Sequence, residues 1–338
     1  MSILITIIGF GIMVFLHELG HFLTAKSFGV LVHEFAIGMG PKIFSFGKGE
    51  TKYSLRLLPL GGYVKLEGEN DTEENTNPRS FSNLHPFKRI IVLVSGALMN
   101  ILLGILIFTV INLKVGIQPT VIGGIPEEFP ANNEIFAVGD EITELNGTNV
   151  RTMDDVSLFM SRNSSKTIDV TVERDGKEFT VEDFKLHETK NGYKLGLMFT
   201  PKKAGIIESS EFAFYDTVNV TKAVYFAVWD LITGKEDINN LSGPVEIVGT
   251  VGQVTEQTQG ETRLIMILLL FAMISVNLGI FNLLPFPALD GGSIIFALYE
   301  LITRRKVKSE IVGYASVIGF ILLMVLALYV TVGDILAL

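Results

Sequence analysis

Four apolar stretches, at about residues 2–25, 90–112, 264–285 and 311–333, constrain this chain more than any other feature. Each approaches the ~20 residues that a helix rising about 1.5 Å per residue needs to cross a bilayer. The last is the plainest, since Ile311 to Val332 carries no charge. A hydrophobic share of 48% with a mean hydropathy of +0.44 is too apolar for an ordinary water-soluble enzyme, and 338 residues leave room for a second, soluble unit. Met1 to Leu16 has the length of a secretory h-region but lacks a basic start and a small-x-small cleavage site, so it reads as a retained span. Gly291 to Leu301 is apolar but short, and reads as a half-span or a helix at the cytoplasmic edge.

Charge orients these spans. Arg304-Arg305-Lys306-Val307-Lys308 sets four basic residues beside the last span, and Lys88-Arg89 precedes the second. Short basic loops stay in the cytoplasm, which puts residues 26–89 and 303–310 inside and both termini outside. The net charge of −9 arises in the external middle, where residues 113–262 hold 13 Lys/Arg against 24 Asp/Glu. Long domains translocate largely regardless of such charge. No basic stripe with interleaved aromatics suggests nucleic acid as a partner. The absence of cysteine excludes disulfides and thiolate-bound zinc.

Residues 118–188 read as a small α/β or β module. Ile168-Asp169-Val170-Thr171-Val172 alternates as a strand does, and Arg174-Asp175-Gly176-Lys177 supplies a hairpin turn to Phe179-Thr180-Val181. A second turn at Leu145-Asn146-Gly147-Thr148 precedes a stretch of helical spacing over 154–160, expected to start on an Asp cap. Residues 189–262 read as a linker whose 205–235 segment is an amphipathic helix near the membrane surface.

The chemistry concentrates in two motifs. In His17-Glu18-Leu19-Gly20-His21 the histidines are four apart, so a helix projects both from one face, and Glu18 stands beside them as a general base for water polarised by zinc. Ionisable groups in a span cost at least ~2.5–3.5 kcal/mol, a demand that a bound metal would meet. Two ligands leave a hydrolytic zinc one short. Asp290 is the candidate third, in Leu289-Asp290-Gly291-Gly292 after a span broken by Pro285 and Pro287. At the helical rise both motifs lie about 25–30 Å from the outer surface, in the inner leaflet. A helix cap is the plainer alternative for Asp290. Asn282, and with it Asn277, read as groups that bond substrate backbone or a developing oxyanion, with interhelical hydrogen bonds as the alternative, favoured for Asn100. His33, His85 and His187 fit no ligand spacing and read as surface residues.

With these residues the chain resembles the site-2 protease family of intramembrane zinc metalloproteases, in its bacterial branch with an inserted PDZ domain. His17 to His21 resembles the family's HExxH, and Asn282 to Gly292 its NxxPxPxLDGG segment. Gly38-Met39-Gly40-Pro41, Leu60-Gly61-Gly62-Tyr63-Val64-Lys65 and Ser242-Gly243-Pro244-Val245 are similar to the same branch, as are Phe129-Pro130-Ala131, Ala137 to Ile142 and Asn146-Gly147 to its PDZ pattern. The resemblance implies a polytopic α-helical membrane protein of about four transmembrane helices with a membrane-associated β-hairpin loop, plus one extracytoplasmic PDZ-like α/β domain. The implied order is an N-terminal membrane core over 1–112 with the β-loop near 30–66, the PDZ-like domain over 118–188, the linker over 189–262, and a C-terminal core over 263–338.

It also implies one Zn²⁺ per chain, held by His17, His21 and Asp290. Gly61, Gly62 and Tyr63 would lie on an exposed strand edge that pairs with substrate. The implied partners are the lipid bilayer and single-pass membrane proteins already trimmed by another protease, such as anti-sigma factors or remnant signal peptides. The implied location is a bacterial plasma membrane, with the active site near the cytoplasmic side. Ser95 to Asn100 lacks the proline of the family's AGPxxN segment, only one PDZ-like unit is present, and Glu246 stands where the family commonly has glycine. A non-catalytic PDZ-bearing scaffold and a metal transporter are the competing classes.

Overall fold

The computed structural model describes residues 2–47, 49–69, 76–189, 192–237 and 243–337. They divide into two compact units, one of Met1–Gly104 with Phe226–Leu338 and one of Ile105–Tyr225. Among the described residues, four helices are long and apolar enough to cross a membrane: α1 (Ser2–Ser27), α2 (Pro86–Val115), α6 (Gly260–Asn282) and the Glu310–Leu336 part of α8 (Ser309–Ala337). Three outrun the apolar stretches that announce them, because helical hydrogen bonding continues into polar flanks. α6 instead stops three residues short of the expected 285, since a residue before proline is pushed out of the helical region and Leu284 precedes Pro285. The protein is therefore a polytopic helical membrane protein.

In the first unit α1 is followed by two long paired strands, β1 (Val32–Phe46) and β2 (Lys52–Leu66), with Val32 opposite Leu66 at one end, Phe46 opposite Tyr53 at the other, and repeated register shifts between. The base of this hairpin is core: Val32, Phe35, Val64 and Leu66 are buried with Ala25, Val30 and Val92. Its far half is the reverse, with Met39, Ile43, Phe44, Phe46, Leu57 and Leu58 all more than half exposed. So large an apolar surface marks a face that meets lipid or protein rather than water. Inside the hairpin Glu34 takes Lys42 at 3.0 Å and Arg56 at 3.1 Å, and Arg56 also donates to the Tyr63 hydroxyl and the Gly40 carbonyl. Burial opposes ionisation of Glu34, but the Ser54 hydroxyl, Lys42, Tyr63 and Arg56 together bring its carboxyl down to about 2.

The same unit holds α5 (Pro244–Gln257), packed on α1, α6 and α8, and α7 (Asp290–Thr303), packed on α8. α5 lies where a linker was expected. Its proline sits in the first turn, where no backbone donor is needed. The free amides of Gly243, Val245 and Glu246 instead donate to the Asp334 carboxylate of α8, at 3.1–3.3 Å. Negative charge at a helix N-terminus is favourable, which gives the Gly-Pro-Val run a structural role. Ser242 lies outside the described residues.

The second unit carries a four-stranded antiparallel sheet in the order β5 (Thr148–Asn149), β4 (Glu141–Leu145), β6 (Thr167–Arg174), β7 (Lys177–Lys185). Short pairs flank it: β3 (Ile122–Gly124) with β10 (Met198–Phe199), and β8 (His187–Thr189) with β9 (Gly192–Lys194). Both expected turns form, Asn146-Gly147 and Asp175-Gly176, each with two positive φ angles as tight hairpins require. Alternate residues Ile168, Val170 and Val172 enter a core with Ile142, Leu145 and Phe184. α3 (Met153–Arg162) starts one residue before the expected stretch, and its cap is Thr152 rather than an aspartate. Thr152 is extended and accepts from the Asp155 amide while Asp155 reaches back to the Thr152 amide, a capping box that the acidic pair obscured in the sequence. α4 (Ile206–Ile232) is the expected helix, and its Asn219 and Lys222 bond Thr152 and Asp155.

Asp140, 1% exposed, takes Arg174 through Nε at 2.6 Å and Nη2 at 2.7 Å and also accepts from the Ala137 amide. Arg174 holds its carboxyl below the usual carboxylate range. An unfolded chain then binds the proton more readily than the folded one, so stability from this pair is full above an ordinary carboxylate pKa of about 4 and falls as pH drops through the depressed folded value. In the full-length protein, hydrogen exchange across 137–174 should rise below about pH 4, and Asp140→Asn should raise it already at neutral pH. Unchanged exchange in Asp140→Asn would contradict this.

Candidate metal centre

α1 is apolar nearly all round, so its few polar side chains must find partners inside the unit. His17 and His21 point to one place, their Nε2 atoms 3.1 Å apart. The Nδ1–H of His21 donates to the Val92 carbonyl of α2 at 2.8 Å, which leaves the Nε2 lone pair for a ligand. The third group comes from the turn after α6. Leaving the helix at Asn282, the chain passes Ala288 with φ +81° and starts α7 at Asp290. Gly291 makes this possible: a Cβ there would lie 2.0 Å from the Leu284 carbonyl oxygen and 2.4 Å from that of Leu283, so a larger residue would force the turn open. Asp290 Oδ2 thereby reaches 3.2 Å from His17 Nε2 and 3.4 Å from His21 Nε2.

Whether these atoms suit a metal can be tested on their spacing. Ligands about 2.0–2.1 Å from one tetrahedral zinc stand about 3.3 Å apart, and the three observed separations run from 3.1 to 3.4 Å. Asp290 Oδ2 is buried yet accepts no directed hydrogen bond, so the three atoms converge as ligands do. Two imidazoles and a carboxylate fit zinc, and no other described group of His, Asp and Glu meets in this way. The helix-cap alternative for Asp290 is not what forms, since Leu289 is the capping residue and makes no side-chain bond.

A cavity of about 480 Å³ opens on this cluster, lined among others by Glu18, Tyr63 and Glu69. Glu18 accepts from the Val64 amide of β2. Gly62 is so close that a Cβ there would touch the Glu18 Cγ at 3.0 Å. The edge of β2 therefore runs along the acid beside the histidines, and Gly61 of the same strand has φ +82°. Asn282 and Asn277 do not line this cavity. The Asn282 amide donates to the Leu278 carbonyl of its own helix at 3.0 Å, while Asn277 Oδ1 is buried without a partner. The interhelical bond expected of Asn100 uses its backbone carbonyl, which accepts from Ser275, and its amide makes none. His187 is not a plain surface residue either; it stacks on Phe129 at 4.0 Å and meets Asn132 at 3.3 Å.

One residue of the centre escaped the sequence reading. Gly96 of α2 lies against both imidazoles, and a Cβ there would stand 2.3 Å from His21 Nε2 and 2.9 Å from His17 Cε1. Gly96 falls in the Ser95–Asn100 stretch that resembles the family's AGPxxN segment, but a glycine in a membrane helix is common enough that its own sequence gives it no role at the metal. Gly96→Val should push the histidines off the cluster and lose bound zinc while the helices still form. Metal analysis beside circular dichroism checks this, and full zinc content in that variant would show that the packing gives way instead.

Membrane-crossing helices around a histidine–histidine–carboxylate cluster with an adjacent glutamate define a membrane metallohydrolase. The comparisons make the class specific. The chain matches peptidase family M50 over residues 5–326. It is 37% identical over 339 residues to a Clostridium acetobutylicum protein named for zinc metalloprotease activity, covering 99% of this chain and 97% of that one. It is 30% identical over 415 residues to the zinc metalloprotease RasP of Geobacillus kaustophilus (99% and 97%), and 30% identical over 419 residues to the regulator of sigma-W protease RasP of Bacillus subtilis (99% and 98%). The chain belongs to peptidase family M50. It is a zinc metalloendopeptidase and an integral membrane protein, with zinc as its cofactor.

Proposed function

We propose that this protein cleaves single-pass membrane proteins within or beside their spans, as a site-2-type protease in regulated intramembrane proteolysis. The observation that carries this reading is the position of the His17–His21–Asp290 cluster, which is built from α1 and the break after α6, both membrane helices. His17, His21 and Asp290 hold the metal, and Glu18 is the general base. Zinc, when bound, supplies Lewis-acid polarisation of water and of the scissile carbonyl. Glu18, fixed by the Val64 amide, takes the proton of the attacking water and passes it to the leaving amine. The polar edge of β2 at Gly61, Gly62 and Tyr63 takes the substrate as an added strand. A helical substrate has its carbonyls already bonded and must unwind first. Asn282, and with it Asn277, are proposed to bond substrate backbone or the developing oxyanion once substrate is bound, since neither lines the metal cavity without it.

The four-stranded unit is read as a PDZ-like domain that excludes bulky ectodomains, so substrates arrive trimmed by an earlier protease. Anti-sigma factors are supported as a substrate class by the name of the Bacillus subtilis relative, regulator of sigma-W protease. Remnant signal peptides are the second class. The proposed location is a bacterial plasma membrane, with both termini and the PDZ-like unit outside and the metal cavity at the cytoplasmic edge.

The lack of cysteine makes the topology easy to check. Single cysteines at positions 175 and 306 should react with a membrane-impermeant reagent from opposite sides, 175 from outside. Labelling of both from one side would reject this arrangement. For the size filter, a substrate with its ectodomain removed should be cut by protein in liposomes while the untrimmed form is spared. Equal cleavage of both forms would remove that role.

A further inference from the structure

The metal cavity holds three carboxylates, and only two have work in the proposed chemistry. Asp290 meets the histidines and Glu18 stands beside them. Glu69, three residues beyond the end of β2, lines the same cavity and is exposed to it. The Leu66 amide donates to its carboxylate, and among the described residues no cation forms an ion pair with it. Lys65 lines the cavity too but does not pair with it. Burial among protein atoms pushes the Glu69 carboxyl up to about 7, with Glu18 and Asp290 adding to the rise against the Leu66 amide and His21. A cavity-facing carboxylate without a counter-charge gains from an incoming cation.

We infer that Glu69 is a specificity-determining residue that binds a lysine or arginine side chain of the substrate on the cytoplasmic side of the scissile bond. The inference rests on the protease reading given above and on its cytoplasmic-edge placement of the cavity. The partner chemistry follows from the bilayer. Membrane spans carry Lys and Arg preferentially where they enter the cytoplasm, so a cation is the charge that a substrate brings to this depth. A substrate strand laid along β2 past Tyr63 and Val64 continues toward Glu69 at the end of that strand. Anchoring one basic side chain there would set the register in which the peptide meets Glu18.

The test uses the full-length zinc-loaded protein in liposomes and a series of single-span peptides carrying lysine, glutamine or glutamate at successive positions on the cytoplasmic side of the scissile bond. Wild type should favour lysine at one position. Glu69→Gln should lower kcat/KM for that peptide about two- to fivefold, the range of a partly exposed ion pair, and leave the glutamine peptide unchanged. Glu69→Lys should shift the preference to glutamate at the same position, a reversal that a damaged fold cannot produce. Equal losses on all peptides, or no loss on any, would overturn the assignment while leaving the protease reading intact. Failure of wild type to cut any peptide would overturn both.

Discussion

Glu18→Gln is expected to bind one zinc per chain and to cleave nothing measurable. The amide keeps the shape of the acid and its contact with Val64, so the cavity should persist. It cannot accept the proton of the attacking water, and loss of a positioned general base costs about 10²–10⁴ in rate. Since Glu18 is also proposed to serve the leaving amine, the upper end of that range is expected. Metal content with single-turnover cleavage of a membrane substrate separates the two properties. Normal cleavage by a zinc-replete Glu18→Gln would move the base elsewhere.

Asp290→Ala is expected to fail at the other step. It removes one of the three proposed protein ligands and leaves two histidine nitrogens 3.1 Å apart with no carboxylate between them. Changes to groups that merely orient a ligand cost about 10–100-fold in metal affinity, so loss of the ligand itself should exceed about 100-fold. Zinc titration against a competing chelator reads this directly, and wild-type affinity would exclude Asp290 from the site. Asp290→Ala should leave the turn in place, because that turn depends on Gly291. Gly291→Ala is therefore expected to give a similar metal loss with the ligand still present.

Much of this centre was legible beforehand because its constraints are local. Histidines four apart share a helix face, and ionisable groups among apolar residues need a reason to be there. The prolines before Asp290 announced the break that aims it. What stayed hidden depends on distant chain. Gly96 matters only because α1 packs against it. α5 falls in a stretch that reads as linker although Ile247, Val248, Val251 and Val254 recur at helical spacing, and its N-terminus is held by Asp334, 88 to 91 residues further on. Thr152 took the cap expected of an aspartate because its extended backbone and Asp155 form a reciprocal pair. The hairpin's extent was implied by resemblance, whereas the burial of Glu34 and Arg56 within it was not, since a sequence shows their charges without showing that they meet.

Cleavage by the purified protein, reconstituted in liposomes with a trimmed single-span substrate, is the most direct test of a zinc centre formed by His17, His21 and Asp290. Cleavage should stop on chelation, return with one equivalent of zinc, and be absent from His17→Ala and Asp290→Ala at the same zinc concentration. Cleavage that survives chelation, or that Asp290→Ala performs at the wild-type rate, would contradict it.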